Sequence, residues 1–174
     1  DAYDDVYPRG FLDFLDQLDA ELPAAIATGA RVFNMSLSIE RPVSDAGYGD
    51  YATLLDEIAD KHDVVFVLPA GNLDGALWRP AWPEQPADVA SMLAGYRHIG
   101  QDRLFQPAES LRAVSVGATD PPDAKGQLRP AVYTRRGPGT ALGLKPDVAH
   151  VGGQGSHTPN LFSINLAGAT VAGM

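Results

Sequence analysis

The stretch "VVFVLPAGNLDG" at residues 64–75 decides the fold. It opens with five apolar residues, three of them valines, which is typical of a strand buried on both faces of a parallel sheet. The run stops at Pro69-Ala70-Gly71-Asn72, which taken alone favours a turn, because glycine and asparagine both tolerate left-handed backbone. The alternative is that the strand carries Asn72 to the carboxyl end of a parallel sheet, where its amide N–H stabilises a developing oxyanion.

The composition indicates one globular domain and narrows the classes of partner. The chain has 174 residues, 45% of them hydrophobic, and a net charge of −9 with no block of lysine or arginine, so nucleic acid and anionic membranes are not expected partners. The absence of cysteine excludes a disulfide framework, thiolate metal sites and a cysteine nucleophile. No apolar run approaches the length of a transmembrane helix, so we expect a soluble protein, secreted or cytoplasmic. The acidic start at Asp1 carries no signal peptide, which predicts a processed chain or a piece of a longer one.

The pattern of the amino-terminal half predicts helices alternating with two strands. "FLDFLDQLDAEL" at 11–22 has apolar residues at helical spacing, and Pro23 is predicted to restart a short helix over 23–28. A short strand follows at 31–37, and a second helix begins after Asp50, its predicted N-cap. Together with a strand at 64–68, this order predicts a right-handed βαβ unit.

The carboxyl-terminal half is less regular. Residues 73–106 hold several prolines and both tryptophans without a strand pattern, which predicts an insertion over the sheet edge with a short helix around 87–95. "LRAVSVGATD" (111–120) and "AVYTRRGP" (131–138) are predicted strands, whereas "GLKPDVAHVGGQGSH" (143–157) is predicted to be a glycine-rich loop.

Other polar patterns give no metal or cofactor site. The four histidines lack ligand spacing, and His62 is expected to sit at a helix C-terminus as a dipole cap. "GGQGSH" at 152–157 lacks the Gly-Lys-Ser/Thr of a phosphate-binding loop, so nucleotide binding is disfavoured. The acidic residues of 1–21 are interpreted as the solvated face of a helix. We therefore predict no metal and no cofactor.

Five segments taken in order resemble the middle of a subtilisin-like serine peptidase (subtilase). "GARVFNMSLS", a helix, "DVVFVLPAGN", "QPAESLRAVSVGATD" and "YTRRGPGTALGLKPDVAHVGG" are similar to the family runs "ADVINMSLG", "VVVVAAAGN", "YPASLPNVIAVGA" and "FSSRGP…KPDVAAPG". The resemblance covers 29–72 and 105–153. It implies an α/β fold with a three-layer subtilisin-like parallel sheet flanked by helices, incomplete because the N-terminal strands and the nucleophile helix are absent. Residues 1–174 would form a single partial catalytic domain with an insertion at about 73–106.

The resemblance also implies roles for individual residues. Asn72 falls on the oxyanion-hole asparagine, Ser36-Leu37-Ser38 on the strand that pairs with substrate backbone, and Pro69-Ala70-Gly71 on the opposite wall of the specificity pocket. Ser38 replaces the usual glycine and Pro69 the usual alanine, so pocket shape is expected to differ. Pro107 falls on a proline that is commonly cis, which predicts a cis Gln106–Pro107 bond. Calcium is compatible with the family, although no cluster of acids in the sequence indicates it.

The catalytic triad motifs are not recognised in the sequence. Subtilases carry Asp, His and Ser in that order, yet no Asp-Ser/Thr-Gly precedes residue 29, and neither His-Gly-Thr nor Gly-Thr-Ser-x-Ala occurs. The serine motif is expected to follow Met174. The resemblance therefore implies a fragment of a serine endopeptidase whose parent acts on polypeptides, with the fragment inactive by itself.

Two alternatives and one consequence follow. A subtilase-fold binding module or pseudoenzyme is favoured by the substituted pocket positions and opposed by Asn72. A nucleotide-binding α/β domain is opposed by the ordered motifs. Without the strands that precede it in the family, strand 31–37 would expose its edge, and exposed edges pair with other chains, so we predict a dimer or a larger assembly through this strand.

Overall fold

The computed structural model describes residues 9–44, 46–80, 82–96, 100–122, 124–140 and 143–152, and the backbone strands at 162–164 and 170–172. The acidic residues of 1–8, most of the "GGQGSH" segment, His98 and His157 lie outside the described residues.

A parallel sheet organises the described chain. Its strands are β1 (Val32–Asn34), β3 (Val65–Pro69), β5 (Val114–Thr119) and β6 (Val148–Val151), in the order β1-β3-β5-β6. Two antiparallel pairs accompany it: β2 (Ile39–Pro42) with β4 (Phe105–Gln106), and β7 (Phe162–Ile164) with β8 (Thr170–Ala172). The helices are α1 (Phe11–Ala27), α2 (Asp50–His62) and α3 (Pro86–Ala94), with a short 3-10 turn at Gly75–Leu77. The predicted α/β class with a parallel sheet flanked by helices is confirmed.

An apolar cluster joins α1 and α2 to the sheet. Leu15 and Leu22 of α1, Leu55 of α2, and Phe66 and Leu68 of β3 are each exposed by 2% or less. Alternation along β3 places Phe66 and Leu68 on this side, as expected for a strand with a side-chain period of two. The core thus fixes the position of β3, from whose end Asn72 follows.

The helix boundaries correct two predictions. Pro23 lies inside α1, which continues to Ala27, so the predicted restart at 23–28 is wrong; burial of Leu22 and packing of Ile26 against the core keep this turn helical despite the N–H that proline lacks. Asp50 is the first helical residue, and Gly49 holds the N-cap position without a side-chain hydrogen bond. An acid in the first turn still complements the helix dipole.

His62 lies in the last turn of α2, where the helix dipole favours a cation. Its Nε2 lies 2.6 Å from Asp19 Oδ1 of α1, and Lys61 Nζ donates to the other oxygen at 2.7 Å. These contacts lower the pKa of Asp19, chiefly through the hydrogen bonds from Lys61 and His62. His62 therefore ties the two helices together.

Three strand predictions need correction. The strand predicted over 31–37 ends at Asn34, and the one predicted over 131–138 is absent from the described residues. The backbone of 131–138 bonds mainly to other loops: Tyr133 O accepts from Leu73 N and Arg135 N donates to Gly71 O, while Ala131 N alone donates to a sheet residue, Ala118. Conversely, 148–151, predicted as loop, forms β6 because it pairs in parallel with β5.

Other expectations hold. The predicted insertion, residues 73–106, contains α3 near the predicted place of its helix, and the Gln106–Pro107 bond is cis, as are Gly137–Pro138 and Lys145–Pro146. Strand β1 pairs with β3 alone among the described strands, and Val32 is 65% exposed, so β1 is an edge there. None of the described helices combines the length and apolar character needed to cross a bilayer.

Candidate active site

Asn72 stands at the carboxyl end of β3 with its side chain exposed. Strands β1 and β3 run parallel with Asn34 opposite Val67, so their carboxyl ends lie side by side at the same end of the sheet. Asn72 forms an isolated antiparallel bridge with Thr134, which fixes its backbone. No hydrogen bond joins its side-chain amide to any residue in the described part of the chain, so this amide is available to a ligand.

Gly71, just before Asn72, must be a glycine. Its φ is +93°, a left-handed conformation that side chains rarely adopt. A Cβ built there would lie 2.8 Å from Phe105 Cδ2 and 2.9 Å from Arg135 Cδ. The turn that presents Asn72 is therefore set by close approach as well as by backbone conformation.

Pro69 and Ala70 form the predicted wall leading into this turn. Pro69 is the last residue of β3 and pairs with Val116. Ala70 is buried; its N–H donates to Val116 O at 2.8 Å and its carbonyl accepts from Phe105 N at 3.2 Å. These bonds fasten the wall to β5 on one side and to β4 on the other.

The segment Ser36-Leu37-Ser38 leaves the sheet after Met35, whose N–H donates to Val67 O at 2.9 Å. Ser36 and Leu37 are exposed, and Asn34 Nδ2 donates to Ser36 Oγ at 3.1 Å. The backbone groups of Ser36 and Leu37 make no hydrogen bond to other described residues. An unpaired segment of this kind can accept an extended peptide by adding it as a strand.

Arg135 lies directly behind Asn72. Its Nε donates to Asn72 O at 2.9 Å, and its Nη1 donates to Gln101 O and Arg103 O, both at 2.8 Å. Its guanidinium carbon is 3.4 Å from the centroid of the Phe105 ring. Burial lowers the pKa of Arg135, but an arginine pKa starts so high that the group remains a cation at neutral pH.

A buried carboxylate, that of Asp102, lies near Arg135 and binds two further arginines. Asp102 is fully buried, and its Oδ2 accepts from Arg79 Nη2 at 3.0 Å and Arg136 Nε at 2.5 Å, while its Oδ1 accepts from Gly100 N. Burial by itself would raise the pKa of Asp102, but the hydrogen bonds from Arg136 and Arg79 outweigh it, so the pKa lies below its ordinary value. We call Arg79, Asp102, Arg135 and Arg136 the polar frame.

Sequence reasoning missed the polar frame. Two of its members lie in the insertion, far in sequence from the Arg135-Arg136 pair. The available signal was that pair itself, since two adjacent arginines interrupt a segment that was predicted to be a strand, and arginines that become buried require partners. The sequence alone does not identify those partners.

The structure brings the predicted site residues to one edge of the sheet, but it does not test their roles. Asn72 with Pro69-Ala70-Gly71 follows β3, and Ser36-Leu37-Ser38 follows β1. Within the described ranges, no group of three or more His, Asp or Glu side chains is arranged to hold a metal ion.

Comparison with known proteins places this geometry in a family. The model of the Subtilase family matches residues 15–172. A protein of Sinorhizobium fredii (strain NBRC 101917 / NGR234), described as uncharacterized protein y4bN, is 30% identical over 140 residues, which cover 72% of this chain and 31% of that protein.

Two solved structures are similar to this chain. The prenylagaramide maturation protease PagA aligns with a TM-score of 0.50 and 17% identity over 91% of this chain and 42% of its own. The S41 psychrophilic protease aligns with a TM-score of 0.49 and 20% identity over 92% of this chain and 43% of its own. The chain thus spans less than half the length of each of these proteins. On the family match over most of its length, the chain belongs to the subtilase family.

Proposed function

We propose that the full-length protein is a subtilisin-like serine endopeptidase that cleaves polypeptides and that Asn72 is its oxyanion donor. The observation that carries this proposal is the exposed amide of Asn72, which has no hydrogen-bond partner among the described residues and is presented by a glycine turn at the carboxyl end of a parallel strand. Membership of the subtilase family supports the reaction class.

The proposed chemistry divides between this chain and the triad. A serine oxygen attacks the scissile carbonyl, a histidine takes the serine proton, and an aspartate orients the histidine. The carbonyl oxygen then becomes negative, and the N–H of the Asn72 side chain donates to it. Ser36-Leu37-Ser38 pairs with the substrate backbone, and Pro69-Ala70-Gly71 forms the opposite wall. This mechanism needs no cofactor, and we expect the 174-residue chain alone to be inactive.

A second candidate is a subtilase-fold binding module without peptidase activity. The family match extends to residue 172 and so includes Gly168-Ala169-Thr170-Val171-Ala172. If this run, and not a segment after Met174 as expected from the sequence, is the counterpart of Gly-Thr-Ser-x-Ala, it keeps the glycine and the last alanine and has threonine in the position of the serine. A threonine there in place of the nucleophile favours the non-catalytic reading.

A fluorophosphonate probe on the full-length protein separates the two candidates. Covalent labelling of one serine, lost after heat denaturation, supports the peptidase. A folded protein that resists labelling yet binds peptides supports the binding module.

The role of Asn72 is tested by Asn72→Ala in the full-length protein. We expect kcat to fall about 10²–10³-fold with KM little changed, a magnitude established in subtilisin itself and carried over from it. The matched control is Gln85→Ala, which removes an exposed amide from the insertion and should leave kcat unchanged. Equal kcat values for Asn72→Ala and wild type would refute the proposed donor.

A further inference from the structure

Arg135 joins the Asn72 turn to the far end of the insertion. One guanidinium bonds carbonyls from two separate segments: Asn72 O on one side, and Gln101 O and Arg103 O on the other. Its face rests on Phe105, and the whole residue is 5% exposed. A buried cation with three carbonyl acceptors and an aromatic face has little freedom to move.

The backbone around Asn72 is held on both sides. Gly71 O accepts from Arg135 N at 3.1 Å, and Leu73 N donates to Tyr133 O at 2.7 Å. Between these bonds, Asn72 O accepts from Arg135 Nε. The backbone of Asn72 is therefore fastened while its side chain is left to a ligand.

We propose that Arg135 is a positioning residue for the Asn72 donor and that residues 101–105 of the insertion hold Arg135 in place. The kinetic test of this inference rests on the proposed function, whereas the spectroscopic test rests on geometry alone. Arg135 touches no reacting atom. It acts by fixing where the Asn72 amide points, and small displacements of a catalytic group are costly.

Asp102 explains how 101–105 is itself held. Its carboxylate binds Arg79 and Arg136, and its carbonyl accepts from Arg136 N at 3.0 Å. The residues on either side of it, Gln101 and Arg103, supply the carbonyls that bind Arg135. The insertion thus has a role beyond covering the sheet edge: it completes the support of the Asn72 turn.

Lysine is the informative replacement, because it keeps the charge but lacks the planar fork that reaches three carbonyls. In the full-length protein, Arg135→Lys should lower kcat about 10- to 100-fold while KM changes less than about twofold. The matched control is Arg129→Lys: Arg129 Nη1 also donates to two insertion carbonyls, those of Trp82 and Pro83, but not to the Asn72 turn. Arg129→Lys should leave kcat unchanged.

A double-mutant cycle distinguishes positioning from general support. If Arg135 acts through Asn72, adding Arg135→Lys to Asn72→Ala should reduce kcat by less than about twofold further. Independent losses that multiply would overturn the inference. An unchanged kcat in a folded Arg135→Lys enzyme would overturn it as well.

A spectroscopic measurement tests the geometry without relying on activity. With selective ¹⁵N-asparagine labelling, the Asn72 side-chain amide resonances should shift or broaden in Arg135→Lys and stay in place in Arg129→Lys. Phe105→Leu, which removes the stacking face, serves as a second variant if Arg135→Lys does not fold. Unchanged Asn72 resonances overturn the inference; shifted resonances in a protein that hydrolyses no peptide retain it and refute the proposed function alone.

Discussion

The middle and the carboxyl end of strand β3 are held by opposite kinds of interaction. Its middle, at Phe66 and Leu68, is buried in the apolar cluster of α1 and α2. Its carboxyl end leads into a turn that Arg135 of the polar frame contacts, and in this frame the fully buried Asp102 binds Arg79 and Arg136. One strand therefore connects an apolar scaffold to a site built on buried charge.

The difference lies in what each interaction specifies. Apolar burial is non-directional, and it fixes β3 as a whole without fixing the direction of any one group. Hydrogen bonds from a guanidinium have fixed geometry and place individual carbonyls, such as Asn72 O. We infer that the apolar cluster positions β3 as a whole and that the polar frame supplies the precise placement a donor needs.

Removing the carboxylate of the polar frame should have the largest effect. Asp102→Ala leaves Arg79 and Arg136 without their buried acceptor, and breaking such a pair costs about 3–5 kcal/mol. Urea unfolding should show this loss. Asp102→Asn, which keeps a neutral acceptor, should lose less; equal stability of Asp102→Ala and wild type would show that the frame is not a unit.

Gly71→Ala tests the junction between the two regions. The added Cβ would lie under 3.0 Å from Phe105 and Arg135, in a backbone conformation that alanine disfavours. We expect a loss of about 1–3 kcal/mol in the free energy of unfolding. The control is Gly75→Ala, where no neighbouring atom lies within 4 Å and φ is not positive; its melting temperature should stay near that of wild type. A tolerated Gly71→Ala would mean that the turn is not sterically set.

The pH dependence of stability should separate two buried carboxyls. The pKa of Asp102 is lowered by its arginines despite burial, so its contribution is complete above the unfolded-state pKa and is lost as pH falls through the folded-state pKa. Burial raises the pKa of Glu109, whose carboxylate oxygens have no hydrogen-bond partner among the described residues. The contribution of Glu109 to the free energy of unfolding is therefore lost as pH rises, whereas that of Asp102 is lost as pH falls.

Glu109→Gln is the corresponding variant. The folded protein holds the Glu109 proton to higher pH than the unfolded chain does, so wild-type stability falls as pH rises above about 4.3, the ordinary glutamate value. Thermal melts between pH 4 and pH 8 should show that Glu109→Gln removes this fall in stability. At pH 7 the variant should be more stable than wild type, by less than the loss expected for Gly71→Ala. Parallel curves for the two proteins would contradict the assignment.

The edge of β1 gives the smallest expected change in stability. We propose that the 174-residue chain dimerises through β1, where Val32 is 65% exposed. Val32→Lys should abolish the dimer in light scattering while changing stability by less than about 0.5 kcal/mol. Leu111→Lys, at a similarly exposed position away from the sheet, is the control. A wild-type monomer at all concentrations would refute the proposal.

The apolar region was predictable from sequence, whereas the polar frame was not. Helical spacing predicts the helix that contains Leu15 and Leu22, and the apolar run predicts the strand at 64–68. The right-handed βαβ rule then predicts how these elements are arranged around the sheet. The role expected of Asn72 comes from its place among motifs that occur in the family's order. By contrast, 131–138 looked like a strand because local pattern does not reveal that its backbone bonds go mostly to the insertion. Asp102 and Arg135 are more than thirty residues apart, and only the folded chain brings them close.

Native-state hydrogen exchange in Asp102→Ala and Leu55→Ala tests the central claim most directly. Under conditions where both variants remain folded, Asp102→Ala should speed exchange of the Leu73 and Arg135 amides, which bond across the Asn72 turn, more than that of Met35, which bonds to mid-β3. Leu55→Ala, which opens the apolar cluster, should show the reverse order. If both substitutions accelerate all three amides equally, β3 is held as one unit and the proposed division between scaffold and polar frame is wrong.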